Sequence, residues 1–128
     1  MEKVATQVAN FDRAQGMSVM ENILQANPEI DGLYAANDEM LLGALEAIEA
    51  DGRKDEITII GCDALDETIE GIKNGTIDAT IAEPPYFLGK AMVENAMKYI
   101  NGETIEERVI LENQLVTKEN VDEIKTRD

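Results

Sequence analysis

Three times in this chain a short apolar run ends on a polar side chain just where a helix opens behind it. Residues 32–40, Gly-Leu-Tyr-Ala-Ala-Asn-Asp-Glu-Met, deliver Asn37 and Asp38 in this way. The run at 57–61 leads to Asp63, and the run at 79–82 leads to Glu83. Strands alternating with helices through short connections require right-handed crossovers, and these build a parallel sheet. Ligands of such sheets bind at the carboxyl ends of the strands, beside helix N-termini. One pattern therefore fixes the fold class and the edge on which a site must lie.

The remaining elements follow from periodicity. Residues 3–9 alternate weakly and read as a strand. Residues 10–27 carry Met17, Met20, Ile23 and Leu24 at helical spacing, with Asn10 or Asp12 as cap and Pro28 behind the end. Residues 38–50 form the next helix, with Leu41, Ala44, Leu45 and Ile48 on one face and Gly52 as its stop. A β-branched strand at 57–61 precedes a helix at 66–74 that ends at Gly75. Strand 77–82 is followed by a helix from Pro84 and Pro85 to Gly102, carrying Leu88, Met92, Ala96 and Tyr99. Residues 108–116 read as a last, exposed strand, and 118–124 as a short terminal helix. The expected architecture is α/β, a mostly parallel sheet with helices on both faces, forming a single domain over residues 1–128.

Composition excludes several classes of function. The net charge of −16 opposes nucleic acid and anionic membranes, because phosphate contacts need clustered Lys and Arg. No apolar run reaches the length of a membrane span. Histidine is absent and Cys62 is the single cysteine, so His-based nucleophilic systems, disulfides and cysteine metal sites are out of reach. The acidic residues lack calcium-loop spacing. The chain is thus expected to be no enzyme, with no metal and no cofactor.

Simpler roles compete with site roles at each candidate. Asn37 and Asp38 are good N-cap residues with or without a ligand. Asp63 fits a cap or loop, Phe11 a staple over the helix start, and Glu83 a solvated turn. Cys62 reads as a small buried hydrophobe, the pairs Met17/Met20 and Met92/Met97 as core filling, and Glu103, Glu106 and Glu107 as a solvated loop.

The succession Asn10-Phe11-Asp12-Arg13, Ala36-Asn37-Asp38-Glu39-Met40, Ile60-Gly61-Cys62-Asp63-Ala64 and Thr80-Ile81-Ala82-Glu83-Pro84 resembles the second half of ribose-type (type I) periplasmic binding proteins. The tail Leu115-Val116-Thr117-Lys118-Glu119-Asn120 is similar to the end of the same family. The resemblance implies a flavodoxin-like or Rossmann-like lobe of a two-lobed protein that closes on a sugar and then docks onto a membrane permease. Carried over by motif, Phe11 would face the sugar ring, Asn37 would offer its amide to hydroxyls, Asp63 would accept from one or two of them, and Glu83 would sit on the hinge side of the cleft. Two positions depart from the pattern. Glu83 stands where the family usually has glutamine, and a carboxylate only accepts. Cys62 stands where an aromatic residue is common.

The resemblance also implies that the first lobe is absent, together with a strand and helix of the second lobe. That strand would lie between residues 3–9 and 32–36, and the helix from Pro85 and the strand from Arg108 would rest on the first lobe. A sheet with this gap leaves open edges. It can repack into one compact lobe or be completed by a second copy, and a homodimer is the expectation here. The expected function is a truncated, non-enzymatic monosaccharide-binding lobe, ribose-like in preference, of an ABC-transport solute-binding protein. The alternatives are the effector lobe of a lactose-repressor-type regulator, or a structural fragment without ligand. The parent would be periplasmic or extracellular, and a product of an internal start would be cytoplasmic. Micromolar binding by an intact site is about −8 kcal/mol, and half a site is expected to retain about −4 kcal/mol, or millimolar affinity.

Overall fold

The computed structural model describes residues 1–83 and 85–124. Its elements run α1 (Arg13–Ala26), β1 (Gly32–Tyr34), α2 (Asp38–Ala50), β2 (Thr58–Asp63), α3 (Asp66–Asn74), β3 (Ala79–Ala82), α4 (Pro85–Ile100) and β4 (Gln114–Thr117), with single 3-10 turns at Lys54–Glu56 and Val121–Glu123. The sheet order is β1-β2-β3-β4. β1, β2 and β3 are parallel, with Gly32 opposite Thr58 and Asp63 opposite Ala82, whereas β4 returns antiparallel to β3, with Gln114 opposite Ala82. The architecture is α/β with a mostly parallel sheet, as the alternation of runs predicts.

Helix boundaries follow their caps. The Asp12 carboxylate accepts from the Gln15 N–H and starts α1, and Asn37 accepts from the Met40 N–H and starts α2. Gly52 follows α2 at φ 75°, and Gly75 ends α3 at φ 87°, a conformation that glycine adopts without a Cβ penalty. α1 and α2 cross backbone to backbone. A Cβ on Gly16 would overlap the Met40 carbonyl, and one on Gly43 would overlap the Arg13 carbonyl.

The core lies between α1, α2, α3 and one face of the sheet, where Met20, Leu41, Ile48, Ile59, Ile72, Ile77 and Val116 are closed to solvent. Side chains alternate along strands, so in-register neighbours share a face. Ile59, Gly61, Thr80 and Val116 face α2 and are all buried. The opposite face presents Tyr34, Ile60, Cys62, Ile81 and Leu115, none of them buried.

Five expectations are corrected. Helices were expected on both faces of the sheet, but among the described residues α1, α2 and α3 cover one face only, because β1, β2 and β3 lie side by side in chain order and each right-handed crossover returns on the same side. Residues 3–9 form no strand: Ala9 is buried but Val4 and Val8 are exposed, and with no strand beside them in the sheet their backbone groups have no ladder to join. The last strand shrinks from 108–116 to Gln114–Thr117, because only those residues reach β3. The terminal helix reduces to one 3-10 turn. The helix after the prolines forms, but none of its residues is buried: Leu88, Met92, Met97 and Tyr99 are 49, 63, 52 and 71% exposed, so Met92 and Met97 fill no core. Pro84 itself lies outside the described residues. α4 and the return chain through Ile105 and Leu111 make an apolar arm standing off the body, with a cleft of about 280 Å³ between them.

Candidate functional site at the carboxyl ends of β1, β2 and β3

The three strand ends converge as the parallel register requires. Asn37 follows β1, Asp63 ends β2, and Glu83 follows β3 one residue beyond the Asp63–Ala82 pair. The Asn37 side-chain oxygen is used at the helix cap, 3.0 Å from the Met40 N–H, and the residue is 9% exposed. The cap and site readings of Asn37 are therefore compatible, since capping engages the oxygen and leaves the amide group for other partners.

Asp63 is exposed at the end of β2 and takes a left-handed φ of 121°, followed by Ala64 at 63°. Its carboxyl is held above the ordinary carboxylate range, chiefly by desolvation. A backbone hydrogen bond from Asp38 opposes this, and the negative charges of Asp38 and Glu83 add to it. Asp63 and Glu83 thus share one electrostatic neighbourhood. Glu83 is exposed and accepts a 2.6 Å hydrogen bond from the Asn113 amide, which draws the chain preceding β4 toward the same edge. The solvated-turn role and the site-edge role of Glu83 both fit this placement.

Phe11 lies just ahead of α1 at φ 57°, with its ring 70% exposed, so it does not staple the core. Two residues further on, Arg13 opens α1. That guanidinium bridges Glu39 at 2.9 Å and Glu67 at 2.8 Å, tying together the N-terminal turns of α1, α2 and α3, and the two carboxylates push its pKa further up. Phe11 therefore stands at the end of the molecule that carries the strand termini.

Cys62 is half-buried where full burial was expected, because it points to the open face of the sheet. Desolvation and the charges of Glu83, Asp63 and Asp38 raise its pKa, which keeps it a thiol.

Sequence reasoning missed three supporting groups. Asp38, whose residue type suits a cap with or without a ligand, is wholly buried instead and accepts from the Thr80 hydroxyl at 3.0 Å and from the Leu65 N–H at 2.9 Å. Its signal was an acid directly behind an asparagine that already caps the helix. Thr80 is the one hydroxyl inside the otherwise apolar β3. Arg13 lay inside a quoted motif without a role. The assembled edge offers carboxylate acceptors, one amide and an exposed aromatic ring, a set suited to hydroxyls and apolar C–H faces.

Residues 1–104 match the periplasmic binding protein domain family, and the chain belongs to that family. Among its relatives, the ribose import binding protein of Bacillus subtilis is 38% identical over 92% of this chain and 38% of the relative. The D-apiose import binding protein of Actinobacillus succinogenes is 41% identical over 94% of this chain and 39% of the relative. A solute-binding protein structure from Actinobacillus succinogenes with bound D-allose is 36% identical, covering 94% of this chain and 42% of that one, with a TM-score of 0.89. One from Bacillus halodurans with bound myo-inositol is 41% identical, covering 95% and 42%, with a TM-score of 0.87. The chain spans about two fifths of the length of these relatives. They are named as sugar-binding and import proteins, not as enzymes, and no helix among the described residues is long and apolar enough to cross a membrane.

Proposed function

We propose that this chain is a non-enzymatic, monosaccharide-binding lobe of an ABC-transport solute-binding protein. A sugar or related polyol is held at the carboxyl ends of β1, β2 and β3 by Asn37, Asp63 and Glu83, with Phe11 over its apolar face. The observation that carries this reading is the convergence of the three polar side chains on one edge, in a chain of the same fold as proteins bound to D-allose and myo-inositol. The carboxylates accept hydrogen bonds from ring hydroxyls, and the Asn37 amide donates to a ring or hydroxyl oxygen. The whole protein would work in the periplasm and present its loaded form to a membrane permease.

An edge that encloses a sugar from one side only makes about half the contacts of a closed cleft. The isolated chain is expected to bind at about −4 kcal/mol, near millimolar. Calorimetric titration with D-ribose, D-allose and myo-inositol checks this. A dissociation constant at or below micromolar would contradict the weak-binding estimate, and no heat with any of the three at tens of millimolar would contradict the sugar reading itself.

The apolar arm supports the pairing of two copies as a second part of this reading. Met92, Val93, Tyr99, Ile100 and Ile110 are each more than 60% exposed, and contiguous apolar surface of this kind marks an interaction face. Light scattering behind size-exclusion chromatography across a concentration series should give twice the chain mass. A monomer throughout would overturn the pairing and leave the sugar reading untouched.

A further inference from the structure

Asp38 is the one acidic residue among the described residues that is fully buried, and no ion pair accompanies it. Its charge is held by donors. The carboxylate sits in the first turn of α2, where the helix dipole favours a negative group. One oxygen accepts from the Thr80 hydroxyl on β3 and the other from the Leu65 N–H in the connection from β2 to α3. β2 passes so close that a Cβ on Gly61 would overlap the same carboxylate. A single side chain therefore touches or ties all three units whose ends form the candidate site.

The connection that it ties is strained. Asp63 and Ala64 both have left-handed φ values, which residues with a Cβ rarely adopt and which persist only where the surroundings enforce them. Asp38 holds this pair from its C-terminal side, since its side chain binds the N–H of Leu65, the residue directly after Ala64.

We infer that Asp38 is the positioning residue of the site: it pins the Asp63–Ala64 turn and thereby aims the Asp63 carboxylate at the strand-end edge beside Asn37. This rests on the reading of Asp63 as a sugar-binding group. Asp38 itself is sealed from solvent and touches no ligand. Thr80 and Gly61 are required by it, the first as a donor and the second as the space that it occupies.

The test compares Asp38→Ala with Asp38→Asn in the full chain, followed by NMR. Asparagine can keep both contacts, its oxygen accepting from Leu65 and its amide donating to the Thr80 hydroxyl, whereas alanine keeps neither. In Asp38→Ala the Leu65 amide should exchange at least tenfold faster relative to the core amides of Ile59 and Ile72. The Asp63 carboxyl should titrate closer to the ordinary range, and chemical-shift changes induced by D-ribose at Asn37 and Asp63 should be lost. Asp38→Asn should restore Leu65 protection and most of the ribose response. If Asp38→Ala does not fold, Thr80→Val, which removes one donor and keeps the shape, should raise Leu65 exchange severalfold relative to the same core amides. Leu65 protection and Asp63 titration unchanged in Asp38→Ala, or unchanged Leu65 protection in Thr80→Val, would overturn the assignment. Absence of any ribose response in the parent chain would instead count against the sugar reading, and the Leu65 and Asp63 readouts would still decide the role of Asp38.

Discussion

The body and the arm of this molecule are built from the same kind of sequence and end in opposite states. α2 and α4 both carry apolar residues at helical spacing, and both are ended by a glycine with positive φ. In α2 eight residues are buried, among them Leu41 and Ile48 at 0% exposure; in α4 none is. The difference lies in what stands opposite. α2 has β2 beneath it and α1 across a glycine-to-backbone crossing, while α4 faces only its own return chain. Apolar patterning states that a helix face will be covered, and is silent on whether the cover comes from the same chain.

The widest separation of the two regions should come from truncating matched leucines. Leu41→Ala is expected to cost about 3 kcal/mol of unfolding free energy, as buried leucines do. Leu88→Ala, which removes a half-exposed side chain, should cost under about 1 kcal/mol. Urea unfolding of both variants measures this, and equal costs would show that the arm is packed in solution. Gly43→Val attacks the α1–α2 crossing and should destabilise the body by about 2 kcal/mol or more, because its Cβ has only backbone to displace. Gly89 in α4 has open space around it, so Gly89→Ala should be neutral or stabilising by under about 1 kcal/mol, which a thermal melt resolves.

Much of this contrast is hidden from the sequence, and particular elements show why. α2 and α3 are legible to the residue because their starts and stops are local chemistry: the Asn37 cap, and the glycines at 52 and 75. Residues 3–9 are not, since a strand exists only with a neighbour and the alternation that suggests one carries no record of the neighbour. The strand-end placement of Asn37, Asp63 and Glu83 was legible because their position after each apolar run is itself the signal. The roles of Asp38, Thr80 and Arg13 were not, because they depend on contacts 26 to 54 residues apart in the chain.

Two smaller effects sharpen the electrostatic side of the body. The folded state raises the Asp63 carboxyl above its ordinary value, so folding holds this proton more tightly than the unfolded chain does. The resulting penalty is fully present above the folded value and is relieved as pH falls toward the unfolded value. Asp63→Asn should accordingly be slightly more stable than the parent near pH 7, and the gain should vanish near pH 3. Opposite behaviour in paired pH-dependent melts would mean that Asp63 is stabilised as an anion. Arg13→Met should cost under about 1 kcal/mol, since both of its ion pairs are partly exposed and screened, with the loss shrinking further in high salt.

The central claim is that the body carries an open half-site for sugars at its strand ends. Titration of the isotopically labelled chain with D-ribose, followed residue by residue by NMR, tests it most directly. The account expects saturable shifts with a midpoint near millimolar, confined to Asn37, Asp63, Glu83, Phe11 and their immediate neighbours, with α4 unmoved. No shifts at these residues up to tens of millimolar, or saturable shifts centred on the arm, would contradict it.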